Sequence, residues 1–111
     1  MFRTPLRSAA PIALAILALT AFGAPALAQP GPTVTIKNFD FAPMNLTVTA
    51  GTTVTWKNLD DEPHTVTSTD GLFRSGAIDQ DESFKFKFDK PGVYKYLCNI
   101  HPKMRATIVV K

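Results

Sequence analysis

Residues 84–98 read FKFKFDKPGVYKYLC. Phe84, Phe86 and Phe88 alternate with Lys85 and Lys87, so an extended chain places three rings on one face and two ammonium groups on the other. A helix would scatter the same residues around its axis. Lys90-Pro91-Gly92 then interrupts the run as a turn, and Val93 to Leu97 resumes a strand. The same two-residue period appears in Val34 and Ile36, in Leu46 and Val48, in Val54 and Trp56, and again from Ala106 to Val110. Ala50-Gly51 and Asp70-Gly71 mark further turns. Leu72 to Asp81 has room for one helical turn, and no other window has a helical period. Short strands separated by Gly and Pro turns make the chain all-β, a sandwich or a barrel. The Phe84/Phe86/Phe88 stripe and Trp56 read as core, since alternating aromatic residues on strands pack inward far more often than they line a binding site.

The first 28 residues follow another logic. Arg3 and Arg7 precede the apolar run PIALAILALTAF, and Ala26-Leu27-Ala28 supplies a small-residue cleavage site. Residues 1–28 are therefore expected to be a secretory signal peptide, cut after Ala28, with the periplasm as destination. Pro11, Gly23 and Pro25 interrupt the apolar stretch and argue against a retained membrane anchor. No Arg-Arg pair marks the start, and no cysteine near the cleavage site offers a lipid anchor. What remains, residues 29–111, is one small domain with no membrane span, expected to be a monomer. Two of the charges behind the net +3 sit at Arg3 and Arg7, so the mature domain carries only +1. A balance so close to neutral gives no ground for nucleic-acid binding.

A domain this short buries a modest core, and many of its size rely on disulfides or a metal. The chain has one cysteine, so an internal disulfide is excluded. An unpaired thiol in an exported protein needs another role. That cysteine opens the stretch CNIHPKM, residues 98–104, where Cys98, His101 and Met104 follow at three-residue steps. Pro102 disfavours the helical conformation at His101, so the stretch is a loop between the strands VYKYL and RATIVV. A tight loop can turn three side chains toward one point. The other histidine, His64, lies upstream in NLDDEPHTVTS and opens a β-rich stretch after Pro63.

Two imidazoles and a thiolate in a trigonal arrangement, with a weak axial thioether, are the donor set of a copper electron-transfer site. Zinc is the rival ion, but it takes Cys, His and carboxylate, and Met is not among its usual ligands. Taken singly, a buried cysteine, a core methionine and two surface histidines would be unremarkable. Together, in an exported β domain, His64, Cys98, His101 and Met104 read as the ligands of one copper ion.

From FAPMNLTVTAGTTVTWKN through EPHTV to PGVYKYLCNIHPKMRATIVV, the chain resembles the cupredoxins, or type 1 blue copper proteins. Its short Cys-x-x-His-x-x-Met loop is most similar to the amicyanin and plastocyanin branch of that family. The resemblance implies a Greek-key β-sandwich with one type 1 copper near one end. It also implies ligand roles for His64, Cys98, His101 and Met104. Thr65 stands where such chains usually carry Asn, which implies a backbone N–H bonded to the cysteine sulfur but a weaker side-chain brace between the loops. Pro102-Lys103 stands where amicyanin has Pro followed by an aromatic residue, so docking to methylamine dehydrogenase is not carried over.

The function expected is transfer of single electrons between a donor and an acceptor redox protein, of the c-type cytochrome or dehydrogenase kind. The main alternative is a copper carrier or copper-resistance protein. A carrier needs labile ligands, commonly several Met or His, and this chain has enough for one closed site. Multicopper oxidases and copper nitrite reductases need further histidines, and both here are already used, so no enzyme is expected. His101 is expected to face solvent and His64 to be the more buried of the two. Asp60, Asp61 and Glu62 read either as an acidic edge beside the site or as ordinary solvated surface.

Overall fold

The computed structural model describes residues 31–111; the expected export signal lies outside them. The described chain forms eight strands: β1 (Thr33–Lys37), β2 (Asp40–Ala42), β3 (Asn45–Val48), β4 (Thr52–Asn58), β5 (Thr67–Ser68), β6 (Ser83–Phe88), β7 (Gly92–Leu97) and β8 (Arg105–Val110). They pair into two four-stranded sheets, ordered β2-β1-β4-β6 and β3-β8-β7-β5. β1 and β4 run parallel, as do β3 and β8, and every other pair is antiparallel. The chain passes repeatedly from one sheet to the other, giving the Greek-key sandwich. Among the described residues no helix is long and apolar enough to cross a membrane.

The alternation read from the sequence sets which faces meet. Val54 lies opposite Phe86 and Trp56 opposite Phe84 across β4 and β6. Val34, Ile36, Val54 and Trp56 on the first sheet, and Ile108 on the second, are completely buried. Trp56 packs against Phe73, Phe84, Phe88 and Tyr96 at the centre of the sandwich. Phe88 is core, while Phe84 and Phe86 are half-buried against it because β6 is an edge strand covered on one side only. Each large side chain taken fully from water contributes about 1.5–3 kcal/mol, so this two-layer core is the main stabilising element.

Two details differ from the expectation. Leu72 to Asp81 holds no helical turn. Its backbone is drawn out by the Thr67–Arg74 and His64–Ile78 bridges, with Ser68 N–H donating to the Phe73 carbonyl at 2.9 Å. The short strands β2 and β5 were also not legible, since three and two residues carry no period. β2 is set by a hairpin in which Lys37 faces Asp40 across Asn38-Phe39.

Candidate metal centre

One end of the sandwich gathers three loops. The β7–β8 connection begins where Leu97 pairs with Arg105, so Cys98 and Met104 leave adjacent strands side by side. Cys98 N–H donates to the Met104 carbonyl at 3.1 Å, and Met104 N–H to the His101 carbonyl at 2.9 Å. These bonds close the loop and bring positions three apart in sequence to one point. His64 is held from the other side by a reciprocal pair of backbone bonds with Ile78, at 3.1 and 2.7 Å. The segment leading to it winds around Asn58. This residue is fully buried, and its side-chain amide donates to the carbonyls of Glu62 and Ile78, both at 2.8 Å. Its side-chain oxygen accepts the Asp60 N–H at 2.9 Å.

The donor atoms converge. Cys98 Sγ lies 3.8 Å from His64 Nδ1 and 3.9 Å from His101 Nδ1, and the three lie within 4.8 Å of one another. A first-row ion bonded at about 2.3 Å to sulfur and about 2.0 Å to nitrogen, the values zinc shows, separates S from N by about 3.7 Å when the angle is trigonal. A group held this way fits a shared ion. His64 and Cys98 are fully buried and Met104 nearly so, whereas the His101 side chain is 30% exposed. The expected contrast between the two histidines therefore holds, and the soft donors lie inside.

Asp60 determines which nitrogen of His64 is free. Its Oδ2 is 2.8 Å from His64 Nε2, so Nε2 carries the proton and Nδ1 faces Cys98 with its lone pair free for a metal. Burial alone would raise the Asp60 carboxyl. The backbone N–H groups of Phe39 and Asn38, and then His64, outweigh burial and hold it below its ordinary value. Asp60 thus belongs to neither reading of the acidic run: it is a partly buried bracket for the site. Asp61 and Glu62 are exposed, with Glu62 Oε2 3.7 Å from His101 Nε2.

Thr65 bears out one expectation. Its backbone N–H points at Cys98 Sγ at 3.4 Å, as implied. A side-chain brace between the loops is also present, built on two hydroxyls. Asn99 N–H donates to Thr65 Oγ1 at 2.8 Å, and Asn99 Nδ2 donates to Thr67 Oγ1 at 3.0 Å. The two hydroxyls lie 3.3 Å apart. The Thr67 hydroxyl, two residues on and also buried, supplies the second acceptor for Asn99.

Asn58, Asn99 and Phe39 were not identified from the sequence, and Asp60 only as part of an acidic run. Asn58 had a signal: it continues the inward parity of Val54 and Trp56, where a polar residue is out of place. Phe39 had none. It sits in the β1–β2 turn, with its ring edge-on to His64 at 5.3 Å and to His101 at 4.9 Å between centroids.

The cupredoxin-like domain family matches residues 10–110 of the chain. No curated protein sequence matches. Several solved structures do. The Cu(I) form of an amicyanin variant is 28% identical, with 78% of this chain and 87% of that chain covered and a TM-score of 0.72. Amicyanin from Paracoccus versutus is 30% identical, with 73% and 81% covered and a TM-score of 0.69. A purple cupredoxin from Nitrosopumilus maritimus is 32% identical, with 72% and 99% covered and a TM-score of 0.67. In this fold, His64, Cys98, His101 and Met104 are arranged as a copper site. Matched over almost its whole length and sharing the sandwich of these copper proteins, the chain belongs to the cupredoxins.

Proposed function

We propose that this protein is a periplasmic type 1 copper protein that passes single electrons between larger redox proteins, with His64, Cys98, His101 and Met104 as ligands. The observation that carries this reading is the convergence of Cys98 Sγ with two imidazole Nδ1 atoms at 3.8 and 3.9 Å. Copper in such a donor set exchanges one electron between Cu(I) and Cu(II). The chain's part is to hold one geometry for both states. Cys98 enters as thiolate, the form in which sulfur ligates. The Thr65 N–H stabilises that sulfur, and Asp60 keeps His64 in the required tautomer. Met104 N–H closes the loop onto the His101 carbonyl, and the residue, 4% exposed, keeps water out. His101 alone among the four presents an edge to solvent, which makes it the shortest route for an electron.

The partners are one donor and one acceptor, of the c-type cytochrome or dehydrogenase kind. A basic start, an apolar run and an Ala-x-Ala site in residues 1–28 support export to the periplasm. A carrier that surrenders its ion fits less well, since Cys98 and His64 are completely buried. The protein acts as an electron carrier and not as an enzyme.

The test is spectroscopic. Mature protein loaded with Cu(II) is expected to show an intense visible band from Cys98 sulfur to copper, and a reversible one-electron reduction. Cys98→Ser abolishes the band, since a hydroxyl is a poor donor at a soft site. A band that survives this substitution, or a loaded protein that cannot be reversibly reduced, refutes the reading.

A further inference from the structure

The β1–β2 hairpin is closed by Asn38 and Phe39, both with left-handed backbones, at φ 53° and 59°. Two-residue hairpins of this kind strongly favour Asn-Gly. The first position conforms and the second does not, because a bulky side chain in the left-handed region is strained. Such strain persists only where surrounding structure enforces it, and it clusters at functional sites. Here the enforcing group is visible. Asp60 accepts the Asn38 N–H at 2.7 Å and the Phe39 N–H at 3.0 Å, and the same carboxylate bonds His64 Nε2 at 2.8 Å.

The strain is not explained by core packing, because Phe39 remains 43% exposed. Its ring instead meets His64 and His101 edge-on, at interplanar angles of 85° and 84°. The two imidazoles are themselves 5.1 Å apart, so the three rings form a closed triangle. Edge-to-face contacts of this kind are favourable and directional. Each imidazole can otherwise turn about its terminal torsion, which is broad and soft. His64 has Asp60 to stop that motion. His101 has no such bracket: its Nδ1 lies 3.9 Å from Cys98 Sγ and its Nε2 faces the exposed Glu62 at 3.7 Å, so its plane rests chiefly on the Phe39 ring.

Resting on the copper reading above, we propose that Phe39 is a positioning residue. Clamped by Asp60 in a strained turn, it fixes the planes of His64 and His101, so that the ligand pair does not rearrange when an electron arrives or leaves.

Phe39→Gly is the informative substitution, because it creates the favoured Asn-Gly turn and is expected to fold at least as stably as the parent. In metal-free protein, NMR relaxation of the ring C–H vectors should show both imidazoles ordered in the wild type and His101 mobile in Phe39→Gly. Phe39→Tyr, which keeps the ring, should restore the order. In copper-loaded protein, Phe39→Gly should alter the Cu(II) EPR signature and slow electron self-exchange roughly tenfold or more, as small misplacements of reacting groups do. Imidazole order unchanged in metal-free Phe39→Gly overturns the proposal. So does a loss of stability with unmoved order, which would make Phe39 a packing residue. A wild type that binds copper without the visible band defeats the proposed function instead, and the metal-free measurement still decides the role of Phe39.

Discussion

Asp60 Oδ2 lies 2.8 Å from His64 Nε2, and the same carboxylate holds the backbone of the turn that carries Phe39. One side chain therefore fixes a metal-facing imidazole and the aromatic ring packed on it. Carboxylates bonded to ligand histidines set ring orientation and basicity, so their removal is felt at the metal.

Asp60→Asn is expected to weaken copper binding by roughly 10–100-fold, measured by competition with a chelator. Its pH dependence has a definite sign. Although burial alone would raise it, the carboxyl is pulled below its ordinary 3.8 by Phe39, Asn38 and His64. The stabilisation it confers is complete above that ordinary value and is lost as pH falls through the lower folded-state value. Metal-free wild type should thus lose stability in urea titrations below about pH 4, and Asp60→Asn should lose less over the same range. An identical acid slope in both proteins would show that the carboxylate does not make these bonds.

Thr65→Val separates the brace from the sulfur contact. The Asn99 N–H loses its acceptor at Thr65 Oγ1, a part-buried bond of 2.8 Å. An unsatisfied donor there costs about 1–3 kcal/mol, readable as a shift in the denaturation midpoint. The backbone N–H at Cys98 Sγ is untouched, so the visible band should stay. A variant as stable as wild type would mean that solvent replaces the hydroxyl.

Met104→Leu tests the thioether. Leu is close in volume, and Met104 is buried, so the stability cost should be below about 1.5 kcal/mol. The variant should still bind copper and keep its colour, with a raised reduction potential, since a donor that favours Cu(II) is removed. Complete loss of copper binding in titrations would assign Met104 a stronger role than tuning the potential.

Tyr96→Phe addresses the core. The Tyr96 hydroxyl and the Trp56 indole nitrogen are buried without hydrogen-bond partners. Burial pushes the Tyr96 phenol up to about 12; the adjacent Trp56 N–H pulls weakly the other way without reaching bonding geometry. Stability from this group is full below the ordinary value of 10.0 and falls as pH rises toward 12. Removing an unpaired hydroxyl should leave neutral stability unchanged or slightly higher, and should make alkaline unfolding less steep. A large loss of stability at neutral pH would mean that the hydroxyl has a partner after all.

Much of the fold was legible because strand alternation is a local property. Phe84, Phe86 and Phe88 must share a face whatever surrounds them, and so must Val54 and Trp56. The Cys98-His101-Met104 loop was legible for the same reason, since Pro102 and two flanking strands leave its residues little freedom. The failures lie where distant segments meet. Leu72 to Asp81 is drawn out by bonds to residues 64–68, which no local period announces.

The chain's own sequence determined the β alternation, the turns, and the soft and imidazole donors available for copper. Only the tertiary structure decided that His64, 34 residues upstream, meets Cys98. It also decided that Asp60 turns inward rather than to solvent, that the Thr65 hydroxyl braces Asn99, and that Phe39 accepts a left-handed backbone to cap two imidazoles. Face parity follows from the geometry of one backbone. A hydrogen-bond partner or a ring contact depends on which loops the two sheets bring to the same end, and that is a property of the folded whole.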